Sequence, residues 1–160
     1  MKKAILIAGV TLLIIGVAGV ILVNAASERT NYAAETSPEI EGTWLATITF
    51  PDGTTFPSLV TYAGGGALIV TDSSVPPALG NVYQGAWTKT GPHEFAFTFV
   101  GFQYDETGAL IGYIRAHENL QLDPGEDVYT GETAIEILDL DMNVIATDSS
   151  TSYATRIDAE

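Results

Sequence analysis

The 160-residue chain predicts an all-β domain, eight antiparallel strands in up-and-down order closed into a barrel, following an N-terminal export helix. Three observations predict it. From Gly42 onward, β-branched and aromatic residues recur in short runs with a period of two. The runs are separated by turn chemistry rich in Gly, Asp, Asn or Pro, mostly of hairpin length. No helical crossover intervenes, so neighbouring strands run antiparallel. Closing such a series into a barrel removes its exposed edges. A two-sheet sandwich is the other architecture open to it.

The first element is the export segment. Met1-Lys2-Lys3 is basic, an uncharged apolar run extends from Ala4 to Val23, and Asn24-Ala25-Ala26-Ser27 follows. A basic start, an apolar core and small residues at the exit describe a Sec signal peptide, with Val23 and Ala25 filling the two cleavage pockets. The apolar run is also long enough to span a bilayer, which takes roughly 20 residues. Residues 1–26 therefore read as a signal peptide or as an anchor through residues 4–23. Lysines before the run and acids after it leave its N-terminus in the cytoplasm in both cases. The expected location of the domain is secreted or extracytoplasmic. Residues 27–40, "SERTNYAAETSPEI", are polar and aperiodic and read as a linker. Residues 41–160 form the barrel domain.

Charge and composition narrow the function. The chain carries 6 basic and 20 acidic residues, a net of −14, and has no cysteine. Beyond residue 26 the count is 4 basic against 20 acidic, a net of −16. Such a surface repels nucleic acid and anionic head groups, so a nucleic-acid partner is not expected and the membrane is met only through the N-terminal segment. Without cysteine there is no disulfide framework, thiolate nucleophile or Cys-ligated zinc.

The predicted strands are residues 43–50, 55–62, 67–72, 83–89, 94–104, 110–122, 128–138 and 144–157. Their connections are "PDGT", "AGGG", "SSVPPALGN", "TGPH", "DETGA", "DPGED" and "DLDMN". "EGTW" at residues 41–44 opens the first strand and "ATRI" at 154–157 closes the last. These motifs and the strand count resemble the calycins, the lipocalins and their relatives, and small secreted bacterial β-barrels of the same flavour. The resemblance implies that Gly42 and Trp44 meet Arg156 in a structural plug, with the guanidinium stacked on the indole at the closed end. It brings a fold and no activity.

Alternation assigns the faces. Trp44, Ala46, Ile48 and Phe50 share one face; so do Phe95, Phe97 and Phe99; and so do Tyr129, Gly131, Thr133, Ile135 and Ile137. Taken as interior, these sets put small residues (Gly112, Ala116, Gly131) beside aromatic ones. An eight-stranded barrel built so has room for one small ligand, unless neighbouring rings fill it. The expected ligand-binding residues are Phe95, Phe97, Phe99, Gly112, Ile114, Ala116, Tyr129 and, from the long apolar connection "SSVPPALGN", Leu79. That connection reads as a lid over one mouth or as a loop folded back onto the core.

"GYIRAHENLQL" at 112–122 places Glu118 in the apolar row with Ile114, Leu120 and Leu122. An unbroken strand turns it inward, where its carboxyl must be protonated, paired or hydrogen-bonded. Desolvation would raise its pKa and suit it to general acid–base chemistry, as in a barrel isomerase or cyclase. The other readings are a structural hydrogen bond, or a bulge that turns it outward.

No metal or cofactor is expected. The spacing of Asp139, Asp141 and Asn143 follows a calcium loop, but Val144 and Ser150 occupy the positions where that loop needs Gly and Glu, so a hairpin turn explains it better. His93 and His117 are the only histidines; a turn and an exterior position account for them. No nucleophile elbow, P-loop or dinucleotide motif occurs. The expected function is an exported barrel that binds a small apolar or amphipathic molecule. A Glu118-dependent enzyme and a membrane-tethered interaction module with a filled barrel are the alternatives.

Overall fold

The computed structural model describes residues 39–158. The export segment and residues 27–38 of the linker lie outside the described residues. Eight strands follow in order: β1 (Gly42–Thr49), β2 (Thr55–Ala63), β3 (Ala67–Asp72), β4 (Val82–Gly91), β5 (Glu94–Tyr104), β6 (Leu110–Leu122), β7 (Val128–Leu138) and β8 (Val144–Arg156). Each pairs antiparallel with its sequence neighbours, and β1 pairs with β8 to close the ring. The architecture is a closed barrel and not a sandwich. Strand limits differ from the sequence-based ones by one or two residues, as at Phe50, which sits in the β1–β2 turn with its N–H donating to Thr54 O at 2.9 Å.

Aspartates shape the turns. Asp52 accepts from the Thr54 N–H at 2.8 Å, and Asp105 accepts from those of Thr107 and Ala109 at 2.8 and 3.0 Å. Asp139 accepts from the Asp141 and Asn143 N–H groups, both at 2.9 Å. Its carboxylate is thus committed to the hairpin, and the Asn143 side-chain amide, followed by these backbone N–H groups, holds its pKa below the usual range.

The two ends of the barrel differ. At one end Trp44 is fully buried and its Nε1 donates to Ile40 O at 2.9 Å. The Arg156 guanidinium lies 4.3 Å from the centre of the Trp44 ring. It donates to Glu126 O at 2.9 Å and Glu41 O at 2.7 Å, and also to Glu39 O. Gly42 makes this possible: its φ is +127°, and a Cβ there would lie 3.0 Å from Arg156 Nη1. Above the plug, Tyr62 meets Trp87 edge-on at 6.1 Å and Tyr129 at 6.1 Å, and Phe95 meets Trp87 at 6.0 Å. This end is filled with side chains. At the other end β8 outruns β1: Val144–Ser150 have no partner on β1, which ends at Thr49.

Candidate functional site

The interior is packed from the Trp44 plug up to the level of Glu118, and there it opens. The register of β6 on β7 is continuous from Tyr113 to Leu122, so Glu118 keeps the inward parity of Ala116 and Leu120. It faces Phe97 on β5 and Thr133 on β7. The side chain is buried, 4% exposed. Ser152 Oγ donates to Oε1 at 2.6 Å and Thr133 Oγ1 to Oε2 at 2.8 Å. Gly131 provides the room, because a Cβ there would collide with Glu118 Oε1 and stand 2.7 Å from Ser152 Oγ.

Desolvation raises the Glu118 pKa above its ordinary range, against the two hydroxyl donors, which pull it down. Two tyrosines complete the polar cluster. Burial, then the neighbouring Glu118 charge, pushes the Tyr129 hydroxyl up; burial, then Tyr129 and Glu118, does the same for Tyr62. Both remain neutral hydroxyls. That of Tyr62 is buried and makes no aligned hydrogen bond, although it lies close enough to Tyr129 for the two to interact.

Above this floor is a cavity of about 130 Å³. Its walls are aromatic and aliphatic: Phe97 stacks on Phe99 at 5.8 Å, Tyr83 meets Phe99 at 4.9 Å, and Phe50 meets Phe56 at 5.8 Å. Among the described residues, Glu118 and Asp72 are the two carboxylates of its lining, and no Lys, Arg or His lines it. A second hollow of about 200 Å³ lies under the β3–β4 connection, lined by Val75, Leu79, Tyr104 and Ile111. The two share Ser74, Tyr83 and Ile114. Larger open depressions of about 690 and 480 Å³ lie on the barrel wall. Thr, Asn and Glu side chains make up much of their lining, and neither reaches the Glu118 carboxyl, so the interior cavity is the better-defined site.

Of the residues expected from sequence, Phe97, Phe99, Ile114, Ala116, Tyr129 and Glu118 come together around the interior cavity. Phe95 lies deeper, in the packed core against Trp87. Gly112 is spaced for the Leu138 carbonyl, into which a Cβ would run. Leu79 lines the hollow under the loop. The sequence reading missed the hydroxyls of Ser150, Ser152 and Thr133 as partners of the cavity and of Glu118. It also missed Asp72 and Tyr83 at the rim. A period-two reading of β8 carries the signal, since Ser150, Ser152 and Ala154 share one parity and all three are buried.

His117 and Arg115 are on the outer wall: Thr98 Oγ1 lies 2.7 Å from His117 Nδ1, and Arg115 Nε donates to Glu136 at 2.6 Å. Glu39, His93 and Glu126 gather near the closed end, with ligand-type atoms within 4.8 Å of one another. Lys89 and His93 already face Glu39 at 3.4 and 3.0 Å, so the group reads as a set of ion contacts that tie residue 39 to the β4–β5 hairpin. Comparison with known proteins finds no match: no family model, curated protein or solved structure is significantly similar to the chain.

Proposed function

We propose that this domain is an exported small-molecule-binding barrel that takes an apolar or amphipathic ligand through the end roofed by the β3–β4 connection. The observation that carries the reading is the interior cavity. Its walls are aromatic and aliphatic, a buried Glu118 held by Thr133 and Ser152 stands in its lining, and it lies opposite the end plugged by Trp44 and Arg156. Apolar walls supply burial, and a few fixed polar groups orient a ligand. A cavity of about 150 Å³ lined by Leu, Ile and Phe holds one benzene. A ligand of one ring or a short branched chain, with its remainder in the hollow under the loop, therefore suits this one. The basic-then-apolar N-terminus supports export, by cleavage or as an anchor through residues 4–23.

Native mass spectrometry of protein purified from its own host tests the reading. A co-purified small molecule, lost when Ile135→Trp fills the cavity, is the expected result. Protein that carries no ligand, and binds none from a panel of single-ring compounds, would support the filled-barrel interaction module.

A second reading, an isomerase or cyclase, is favoured by one observation: Glu118 is both buried and part of the cavity lining, so a raised-pKa carboxyl would meet the ligand. Turnover of the co-purified molecule, abolished in Glu118→Gln, distinguishes it from simple binding.

A further inference from the structure

We propose that the ligand is a small organic cation, an ammonium group seated on Glu118 with an apolar body of about one ring against Phe97, Phe99 and Tyr83. The inference rests on the binding reading above and adds the charge of the ligand. It starts from a missing partner. Among the described residues, every basic side chain has its place outside the cavity. Lys89 and His93 face Glu39, and Arg115 pairs with Glu136. His117 is on the outer wall, and Arg156 is spent on Trp44 and three carbonyls. Glu118 is therefore a buried carboxyl without a cation, and Asp72 at the same cavity adds a second acid.

The chemistry of the lining points the same way. Among the described residues, its polar side chains offer only carboxylate and hydroxyl oxygens, and none carries an N–H donor. A carboxylate accepts about four hydrogen bonds. Glu118 receives two from side chains, from Ser152 and Thr133. An ammonium head is a donor without acceptor needs and fits the remaining lone pairs. Aromatic faces attract a cation through the ring quadrupole, more strongly once it is desolvated. The formal charge of −14 raises the local concentration of cations and lowers that of anions. An anionic ligand would meet two carboxylates and no cation, and a neutral apolar ligand would leave Glu118 with only the Ser152 and Thr133 hydroxyls as side-chain donors.

Isothermal titration calorimetry on the full-length protein in mild detergent tests this with three probes of one shape: 2-phenylethylammonium, 2-phenylethanol and 3-phenylpropionate. The expected order is ammonium first, by about tenfold or more over the alcohol, with the carboxylate not bound. Glu118→Gln should bring the ammonium and the alcohol to within about twofold of each other. Equal binding of ammonium and alcohol by the unmodified protein would overturn the cation and leave the binding barrel standing. No binding of any probe would overturn both. A preference for the ammonium that survives in Glu118→Gln, with a native far-ultraviolet circular dichroism spectrum, would remove Glu118 from the seat and sink the proposal. Should that variant fail to fold, the ranking of the three probes on the unmodified protein decides alone.

Discussion

Gly131 and Glu118 are predicted to be energetically coupled, with a sign that reverses between backgrounds. A Cβ at position 131 collides with Glu118 Oε1 and comes within 2.7 Å of Ser152 Oγ. Gly131→Ala must therefore push the carboxyl out of its seat, straining or breaking the 2.6 Å bond from Ser152. Overpacking of this kind costs about 1–3 kcal/mol. The backbone itself does not object, because Gly131 is not among the positive-φ glycines. Once the carboxyl is gone, in Glu118→Ala, the nearest remaining neighbour of alanine at 131 is the rotatable Ser152 hydroxyl, and the alanine gains roughly 0.5–1 kcal/mol over glycine in a strand. Adding the two gives a coupling of about 1.5–4 kcal/mol, well beyond the ~0.5 kcal/mol within which independent sites add. Urea unfolding of the four proteins, followed by Trp44 and Trp87 fluorescence, measures it. If Gly131→Ala destabilises both backgrounds equally, the carboxyl does not occupy the space that Gly131 leaves, and the seat described above is wrong.

The plug gives a second prediction: Arg156→Ala should lower stability by about 1–3 kcal/mol through lost stacking on Trp44 and unpaired carbonyls, and Arg156→Lys should recover little, because an ammonium cannot reproduce the fork. Urea titration checks both. The third concerns pH. The folded pKa of Glu118 is raised, so between the unfolded value of about 4.3 and that higher folded value the native state holds a proton that the unfolded chain has released. Its contribution is fully present below the unfolded pKa and is lost as pH rises through the folded one. Asp52, Asp105 and Asp139 act oppositely: their folded pKa values are lowered, and their contribution is lost as pH falls through them. Both proteins share those aspartates, so the stability of Glu118→Gln minus that of the unmodified protein isolates the glutamate. The difference should be flat below about pH 4 and rise in favour of the variant above it; a difference that falls with pH would refute the raised pKa.

Most of the fold was legible in the sequence because barrel formation rests on local signals. Alternation places Trp44, Phe97 and Glu118 on the inner face without knowledge of any partner strand, and Asp-led turns such as 139–143 fix where strands end. The plug of Gly42, Trp44 and Arg156 was expected only through the resemblance of the end motifs, "EGTW" and "ATRI", to those of calycins. What could not be read was depth along the barrel axis. Parity says that Phe95 and Gly112 face inward, yet strand stagger puts Phe95 in the packed core and gives the space at Gly112 to the Leu138 carbonyl. Depth depends on which residues of β5, β6 and β7 share a level, and that is a property of the closed register (Phe97, Glu118 and Thr133 in one row), which no single strand carries. The hydroxyls around Glu118 escaped for a related reason: Ser and Thr are unremarkable in a strand until the register brings them to one carboxyl.

The closed register also bears on why a glutamate stands there at all. If mid-barrel filling were the only requirement, a leucine or methionine at 118 would pack against Phe97 without a desolvation penalty, and stability would gain. The carboxyl is instead accommodated by three other positions on two further strands: Gly131 and Thr133 on β7, and Ser152 on β8. Each is individually unfavourable or neutral for a barrel interior. Glycine weakens a strand, and a buried hydroxyl costs free energy unless bonded. Together they satisfy one another around the carboxyl and leave its remaining lone pairs for whatever enters from above. At the closed end, by contrast, Trp44 and Arg156 have their donors paired, Trp44 on Ile40 O and Arg156 on three carbonyls. A carboxyl with lone pairs to spare faces the other end. A ligand that completes the Glu118 cluster would stabilise the fold by its own binding free energy. A thermal shift that appears with 2-phenylethylammonium, and shrinks in Glu118→Gln to that given by 2-phenylethanol, follows from that coupling.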